Sequence, residues 1–425
     1  MTALRAAGFP ELQVRARARR GAAEAFPAAD AYGTELFGGA PAGAGDELDR
    51  TRIVPPVFMP LRLEKLIELG REPMPDDVDL STEIGGFRSA LPVYLSAFGS
   101  TRAGSGDLSV AASRQAGRLG IPMVVGENMV PVHGYRRTGE PSPLLARIRA
   151  YAEAGDGGPG GVVVQQSTED ADSEVWNLVY SDPASQELLH SGRIGFELKI
   201  GQGAKPGLGG MTVLDAEEAA RAARTFAVQD VFGAEAGRYL RSATPGTFTE
   251  EIVRQQVRFM RNNYPRARVW VKLPPGRDIA AAARTAWRAG ADAVTVDGAE
   301  GGTGWAPGAF LDHVGLPLAE CLRRIGEPEG CLLASGRMWE GTRVVRALAL
   351  GARAAGLGRA ALLAVDEDPG HGLVRLAECL AAEIRLIVSA LGKYDVAALS
   401  AEDLWRPDTP EPVSGRVPET IGERP

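Results

Sequence analysis

Three polar side chains near the ends of apolar runs have the right types to act on a nitrogen-bearing substrate. Lys199 and Gln202 lie in the run FELKIGQGAKPG, and Glu127 directly follows the run MVVG. A lysine at the end of a strand can stabilise developing negative charge or hold a substrate carboxylate. Glu127 can bind an ammonium or iminium group, although a helix cap or an ordinary loop charge is the alternative. We predict Lys199, Glu127 and Gln202 as the catalytic residues.

Two glycine-rich loops are candidates for binding a phosphate group. One reads GAEGGTG over residues 298–304, and the other reads GLGR over residues 356–359. Glycine lets backbone N–H groups approach anionic oxygens, a helix N-terminus adds a favourable dipole, and an arginine can bind phosphate bidentately. Tight turns without a ligand are the alternative for each loop alone, but two such loops on adjacent strands favour a phosphate-bearing ligand. The candidates here are Gly301, Gly302, Thr303, Gly304, Gly358 and Arg359.

Eight short apolar runs, each followed by a helical pattern, must position these residues. The runs start near residues 92, 121, 161, 194, 268, 291, 331 and 352. Continuous apolar strands separated by helices indicate a parallel sheet covered on both faces, and eight units favour closure into a (β/α)8 TIM barrel. The alternative is an open doubly wound sheet, but its GxGxxG fingerprint after the first strand is absent.

The predicted fold is therefore α/β, a TIM barrel with an irregular N-terminal extension and loop insertions. The extension covers residues 1–90, the barrel 91–395, and a C-terminal tail that wraps the surface or is loose covers 396–425. A helix is predicted around residues 215–228. Long insertions at 167–193 and 229–248 have lengths that usually indicate a functional role.

In such a barrel the polar residues at the strand ends converge on one pocket. Gln165 and Gln166 are neighbours on one strand, so one of them must point away from the pocket. Lys272 can be a functional lysine in the pocket, or its ammonium group can extend from the strand end to solvent, and the sequence favours neither. The cofactor-binding candidates at the strand ends are Ala97, Phe98, Gly99, Gln165, Gln166, Lys199, Lys272, Ser335, Gly336 and Arg337.

Composition excludes several other classes of protein. The formal net charge of -7 argues against sequence-independent binding to the phosphates of nucleic acid. Three separated cysteines without CxxC argue against a disulfide framework or a structural zinc site. No apolar run is long enough to span a bilayer, and the N-terminus has no apolar signal region. We expect a reduced, cytoplasmic protein that forms a homo-oligomer and binds neither membrane nor nucleic acid.

The run KIGQGAKPGLGG, residues 199–210, resembles the glutamate synthase signature Lys-x-x-Gln-Gly-Ala-Lys-Pro-Gly-x-Gly-Gly. GAEGGTGWAP at 298–307 and HVGLP at 313–317 are similar to the family's Gly-Gly-Thr-Gly-Ala-Ser-Pro loop and the Ala-Gly-x-Pro that follows it. VKLPP at 271–275 matches its Val-Lys-Leu. The resemblance covers roughly residues 90–365 and every matching motif occurs in the family's order.

The resemblance implies an FMN-binding barrel in which a reduced flavin delivers hydride to 2-iminoglutarate. Carried over by position, the cofactor candidates named above surround FMN, while Glu127, Lys199 and Gln202 face the substrate. The sequence also departs from the family's pattern. The family's 3Fe-4S cysteines are missing from LLAVDEDPGHG at 362–372, and Ser335–Gly336–Arg337 replaces its Asp-Gly-Gly. No amidotransferase domain with an N-terminal cysteine is present in the sequence. We predict FMN without an iron–sulfur cluster.

The predicted function is that of an FMN-dependent oxidoreductase acting on a CH–NH2 type donor, by imine reduction or by amine or amino acid oxidation. Its substrate would be an amino or keto acid, which Arg337 could help to bind. One alternative is a flavoprotein subunit that needs a partner for electrons or ammonia. Another is an FMN-free barrel that binds a phosphorylated metabolite as an isomerase or lyase.

Overall fold

The computed structural model describes residues 4–36, 38, 45–98, 106–127, 142–167, 174–202 and 205–406. At its centre, eight parallel strands form a closed barrel in which each strand pairs with the next along the chain and the last pairs with the first. The predicted TIM barrel is confirmed, and every strand begins within two residues of its predicted start. In chain order the barrel strands are Val93–Phe98, Met123–Val125, Val162–Gln166, Ile194–Lys199, Arg268–Leu273, Ala293–Asp297, Cys331–Ser335 and Ala354–Leu357.

Helices cover the outside of the barrel because each has one apolar face. Helix Glu250–Asn263 is a clear example: it buries Val253, Val257 and Met260, and the side chain of Thr249 caps its N-terminus. The other helices around the barrel are Gly106–Leu119, Pro143–Gly155, Val175–Ser181, Gln186–His190, Ile279–Arg288, Gly308–His313, Leu318–Ile325, Gly341–Ala349, Arg359–Glu367 and Gly372–Ala390. Within the described ranges, no helix combines the length and the apolar character needed to cross a membrane.

A β-hairpin closes the barrel at the end where the strands begin. Its strands Thr82–Ile84 and Phe87–Ser89 pair antiparallel. Ile84 and Phe87 pack in the barrel interior against Tyr94 and Trp270. Gly85 has a φ of +54°, its carbonyl accepts a 3.0 Å hydrogen bond from Trp270 Nε1, and a Cβ there would lie 2.3 Å from that nitrogen. The turn therefore needs glycine for its conformation and for the close approach of Trp270.

The rest of the N-terminal extension is also more regular than predicted. Helix Glu11–Arg20 lies on the barrel helices, where Arg15 pairs with Asp366 at 2.8 Å and Arg17 with Glu383 at 2.6 Å. A short helix, Pro60–Leu69, follows later in the extension. Proline at the start and glycine after the end of Pro60–Leu69 predict this helix from sequence, whereas helix Glu11–Arg20 lies in a part of the extension for which the sequence predicted no regular element. Amphipathicity was obscured in helix Glu11–Arg20 because its arginines point inward to acidic partners.

The first part of the C-terminal tail is bound to the extension. Strand Leu404–Trp405 pairs antiparallel with Arg52–Ile53. Lys393 Nζ donates to Asp403 Oδ2 at 2.7 Å, and both side chains are buried. The tail is therefore ordered up to the end of the described chain at residue 406. The domain limits at residues 90 and 395 stay a prediction, and contacts of this kind join the segments across them.

An antiparallel sheet is inserted after the fourth barrel strand. The sheet has three strands, Met211–Leu214, Ala227–Gln229 and Tyr239–Ser242. Strand Tyr239–Ser242 lies in the middle and pairs with the other two. The helix predicted around 215–228 extends only over Ala216–Ala222, and its last part is wrong because the chain enters strand Ala227–Gln229. Alternating alanine and charged residues gave a helical pattern that pairing with Tyr239–Ser242 overrides.

The insertion after the third barrel strand is partly described. Its helices Val175–Ser181 and Gln186–His190 cover the outer face of the barrel. Trp176 stacks on Phe196 with ring centroids 5.7 Å apart, and its Nε1 donates to the carbonyl of Val164 at 3.0 Å. This part of the insertion is therefore a packed layer, although its length suggested a functional loop.

Candidate functional site

The three residues predicted as catalytic come together at the carboxyl ends of the strands. Lys199 Nζ donates to Glu127 Oε1 at 2.5 Å and to Gln202 Oε1 at 2.9 Å. The side chains of Lys199 and Glu127 are 10% and 14% exposed. The second oxygen of Glu127 is buried without a hydrogen-bond partner among the described residues. An unpartnered carboxylate oxygen beside a buried lysine is a ready acceptor for a ligand N–H group.

Lys205 is a further member of this cluster that our sequence analysis did not single out. It is only 3% exposed, and its Nζ donates to the carbonyl of Trp305 at 3.2 Å. Burial lowers the pKa of Lys205, the nearby charge of Lys199 lowers it further, and Glu127 opposes both effects. The signal was available, because Lys205 belongs to the same QGAKPG motif, residues 202–207, as Gln202. Two ammonium groups beside one carboxylate favour a ligand that carries negative charge.

Beneath this cluster the barrel interior holds a second polar network centred on Glu197. Gln165 Nε2 donates to Glu197 Oε2 at 2.5 Å, and Thr295 Oγ1 donates to Glu197 Oε1 at 2.8 Å. Burial raises the pKa of Glu197, while Lys272 and the two hydrogen bonds counteract part of that rise. Sequence reasoning missed Glu197. The signal was a charged residue two positions before Lys199, because alternate residues of a strand share a face.

Lys272 belongs to the same network, which settles its orientation. Its Nζ lies 3.1 Å from Asp297 Oδ2, and the two side chains are 8% and 10% exposed. Burial disfavours the charged lysine, but Asp297 and Glu197 outweigh it and raise the pKa of Lys272. Ser335 donates a hydrogen bond to the other carboxylate oxygen of Asp297. Lys272 and Ser335 therefore face the barrel interior.

The remaining candidates on the first and third strands are distributed between the two faces of the barrel wall. Gln165 points inward, and its neighbour Gln166 falls on the opposite face of the strand. Ala97 contacts the interior cluster, whereas Phe98 packs in the outer core with Arg147 5.5 Å from its ring. A register shift between residues 95 and 98 accompanies this arrangement. Gly99 lies outside the described residues.

The two predicted phosphate loops follow the sixth and eighth strands, so the seventh strand lies between them and they are not on adjacent strands as predicted. Arg359 begins helix Arg359–Glu367 directly after Gly358, and it donates to the carbonyl of Glu300. A Cβ on Gly302 would lie 3.1 Å from Arg359 Cγ, so the two loops are in contact. Burial first, and then the charge of Arg337, lower the pKa of Arg359 to about 10. An anion bound here would relieve that unfavourable concentration of positive charge.

Arg337 already has a carboxylate partner from the N-terminal extension. Its Nη1 lies 2.5 Å from Asp49 Oδ2, and Arg343 Nη1 lies 2.9 Å from Asp46 Oδ1. Gly336 and Arg337 have φ values of +140° and +55°, so the backbone here is one that favours glycine. The carboxylate that Arg337 binds in this structure is thus Asp49, whereas we predicted a substrate or cofactor group.

Neutralising Asp46 and Asp49 together, by Asp46→Asn/Asp49→Asn, is expected to lower the free energy of unfolding by about 3 kcal/mol or more. The reason is that the side chain of Arg343 is completely buried and these two carboxylates are its ion-pair partners. Urea unfolding of the double variant measures the loss. Asp30→Asn on the exposed surface is the control, and equal midpoints for the two variants would contradict the prediction.

Fold and site together define a class: a parallel (β/α)8 barrel with an arginine-rich end and a lysine–glutamate cluster. Residues 184–368 match the family model described as the conserved region in glutamate synthase. An archaeal-type NADPH glutamate synthase from Dehalococcoides mccartyi is 34% identical over 190 residues, which cover 42% of this chain and 36% of that protein. The archaeal NADPH glutamate synthase of Methanocaldococcus jannaschii is 34% identical over 193 residues, 43% of this chain and 36% of the relative. The central region of this chain is therefore similar to the glutamate synthase family, as the motifs indicated.

Comparison of whole folds gives a second set of similar proteins. The soluble mutant of (S)-mandelate dehydrogenase from Pseudomonas putida has a TM-score of 0.54 at 18% identity, with 94% of this chain and 99% of that chain covered. A flavocytochrome b2 variant with pyruvate bound has a TM-score of 0.53 at 16% identity, with 97% and 90% covered. These likenesses are evidence for the barrel fold, and the aligned regions cover nearly the whole chain.

Proposed function

We propose that this protein is an FMN-dependent oxidoreductase that acts on a C–N bond, by imine reduction or by oxidation of an amine or amino acid. The observation that carries the proposal is the arrangement of two sites on one barrel mouth. An arginine-rich end suited to a phosphate group lies on the sixth to eighth strands, and the Lys199–Glu127–Gln202 cluster lies across from it. The glutamate synthase family supports the same class of chemistry.

The phosphate end has the properties that the FMN phosphate requires. Arg359 is mostly buried, its pKa is lowered to about 10 by burial and by other arginines, and its side chain contacts the Gly302 loop. Arg359, Gly302 and Gly358 would therefore hold the phosphate, because glycine-rich loops that lead into a helix N-terminus bind phosphate groups in this way. When bound, FMN supplies the hydride exchange that the side chains of this chain cannot perform.

The chain's own residues bind and orient the substrate. Glu127 keeps one oxygen on Lys199, and its other oxygen, which has no hydrogen-bond partner in the described part of the chain, can accept an N–H from an ammonium or iminium group. Lys199 and Lys205 provide positive charge for a substrate carboxylate, and Gln202 fixes Lys199 from its other side. Gln165 and Lys272 support the floor of the site through Glu197 and Asp297.

One observation favours a second candidate, a flavoprotein subunit that needs a partner for electrons or ammonia. The matched stretch spans only about a third, 36%, of the length of the relatives, which carry further parts. In this case the isolated chain binds FMN but turns over only when a ferredoxin-like or glutaminase-like protein is added. Co-purification of the chain from its source with such a partner would favour this candidate over a self-sufficient enzyme.

FMN binding is tested by the visible spectrum of the purified chain, acid release of its chromophore, and titration of the stripped protein with FMN and riboflavin. We expect FMN to bind more tightly than riboflavin, which lacks the phosphate. Arg359→Met should weaken FMN by about 10- to 100-fold, the value of a charge-assisted hydrogen bond, and leave riboflavin unchanged. Arg353→Met is the matched control. Arg353 is an exposed arginine directly before Ala354–Leu357, the strand that leads to Arg359. A colourless protein that takes up no FMN would refute the proposal in favour of an isomerase or lyase.

A further inference from the structure

Two half-exposed aromatic rings contact each other, and the main chain of one of them accepts a hydrogen bond from Lys205 beside the lysine–glutamate cluster. Trp305 is in the loop after the sixth strand, and Phe232 is in the loop between strands Ala227–Gln229 and Tyr239–Ser242 of the inserted sheet. Their ring centroids are 5.6 Å apart with an interplanar angle of 75°, an edge-to-face pair. Trp305 is 45% and Phe232 38% exposed, and the neighbouring Val231 is 52% exposed. The pair therefore leaves a large apolar surface that the described chain does not cover.

The pair is attached to the candidate site through Lys205. The Nζ of this buried lysine donates to the carbonyl of Trp305 at 3.2 Å. The charges of Lys199 and Glu127 both act on Lys205, so all three lie within short electrostatic range. The main chain of Trp305 is thus one side chain, that of Lys205, away from the catalytic candidates.

The sequence shows that the ring at position 305 is a feature of this chain. GAEGGTGWAP has Trp305 where the resembling loop Gly-Gly-Thr-Gly-Ala-Ser-Pro has alanine. A large ring that contacts one other ring among the described residues and remains half exposed gains little for the stability of the fold. Its exposed position beside a polar cluster is better explained by a ligand that covers it.

The chemistry of the ligand follows from the groups around it. Two ammonium groups, on Lys199 and Lys205, suit a carboxylate, and the unpartnered oxygen of Glu127 suits an amino group. A molecule that satisfies all three groups is an α-amino acid. The aromatic pair then lies where its side chain leaves the site, and an apolar side chain is the one that gains from covering these rings.

We propose that Phe232 and Trp305 form a side-chain subsite and that the substrate is an α-amino acid with an apolar or aromatic side chain. This inference rests on the proposed function in placing the substrate at the Lys199–Glu127 cluster. It goes further by naming the class of side chain that the site selects.

Equilibrium binding to the purified full-length chain, measured by calorimetry, tests the subsite without relying on turnover. The probes are L-phenylalanine, L-leucine, L-glutamate and L-alanine. We expect L-phenylalanine to bind more tightly than L-glutamate. Trp305→Ser should weaken L-phenylalanine by about tenfold and leave L-alanine unchanged. Phe232→Ser should act in the same direction, and Trp305→Phe should retain most of the affinity.

Trp405→Ser is the matched control, because Trp405 has the same 45% exposure but lies on the strand that pairs with Arg52–Ile53. Stronger binding of L-glutamate than of L-phenylalanine, equal weakening of all probes by Trp305→Ser, or no binding of any probe would overturn the subsite. So would self-association of the chain that Trp305→Ser abolishes without a change in L-phenylalanine affinity, since this indicates an interface between copies. A chain that binds L-phenylalanine as expected but no FMN would refute the proposed function alone.

Discussion

Lys272→Met is expected to lower the free energy of unfolding by about 3–5 kcal/mol, because it leaves buried carboxylates without their compensating charge. Lys272 Nζ lies 3.1 Å from Asp297 Oδ2, and Glu197 is only 1% exposed in the same network. Methionine keeps the apolar stem of the side chain and removes only the ammonium group. Urea unfolding at neutral pH measures the loss.

Two variants control this experiment. Lys65→Met removes a lysine that pairs with the largely exposed Glu68, so it should cost less than about 1 kcal/mol. Asp297→Asn added to Lys272→Met should recover part of the stability, because the uncompensated charge is then absent. The single variant Asp297→Asn completes the comparison. If Asp297→Asn lowers the free energy of unfolding by the same amount in Lys272→Met as in the wild type, the two side chains act independently and our account of the pair is wrong.

The pH dependence of the same variant gives a second check on the mechanism. The pKa of Lys272 is raised in the folded protein, so its protonation stabilises the fold. This contribution to the free energy of unfolding is complete below the pKa of a lysine in the unfolded chain, about 10.4, and is lost as pH rises through the folded pKa. At neutral pH the wild type therefore retains all of it. The raised pKa of Glu197 has the opposite consequence for a carboxyl: stability falls as pH rises from the unfolded value, about 4.3, to the folded one. The deficit of Lys272→Met should consequently shrink in acid.

The barrel could be predicted from sequence because its strands are short apolar runs in a regular order. Val162–Gln166 and Ala293–Asp297 are buried on both faces, which gives continuous hydrophobic segments, and parallel pairing requires the helices between them. Lys199, Glu127 and Gln202 could be predicted for a related reason. In this fold, position at the end of a strand is enough to place a side chain in the common pocket.

Other parts of the site depend on contacts between segments that are far apart along the chain. Nothing near Arg337 in sequence indicates that Asp49 binds it, because the two residues meet only after the extension has folded onto the barrel. Phe232 and Trp305 are likewise brought together from separate loops. Glu197 differs from these, since its position two residues before Lys199 was readable. It was missed because a carboxylate inside an apolar strand conflicts with the usual pattern of burial.

The largest effect on catalysis is expected from Lys199→Met, which should lower turnover by about 10²- to 10³-fold, the typical effect of removing a charge-stabilising group from an active site. Lys199 contacts both Glu127 and Gln202, so its loss also frees Glu127 from its fixed position. Turnover is measured with the amine or imine that exchanges electrons with the bound flavin most rapidly. Lys65→Met again serves as the control, because this lysine lies outside the candidate site, and unfolding midpoints show whether the variant is intact.

Glu127→Gln distinguishes the roles of the two partners. Glutamine keeps the hydrogen bond to Lys199 but lacks the charge that binds an ammonium or iminium group, so the affinity for the substrate should fall together with turnover. Because the two residues act as one unit, Glu127→Gln should reduce turnover much less in the Lys199→Met background than in the wild type. Fully additive effects would show that Lys199 and Glu127 contribute separately. Unchanged flavin content and turnover in Lys199→Met would remove the cluster from the mechanism altogether.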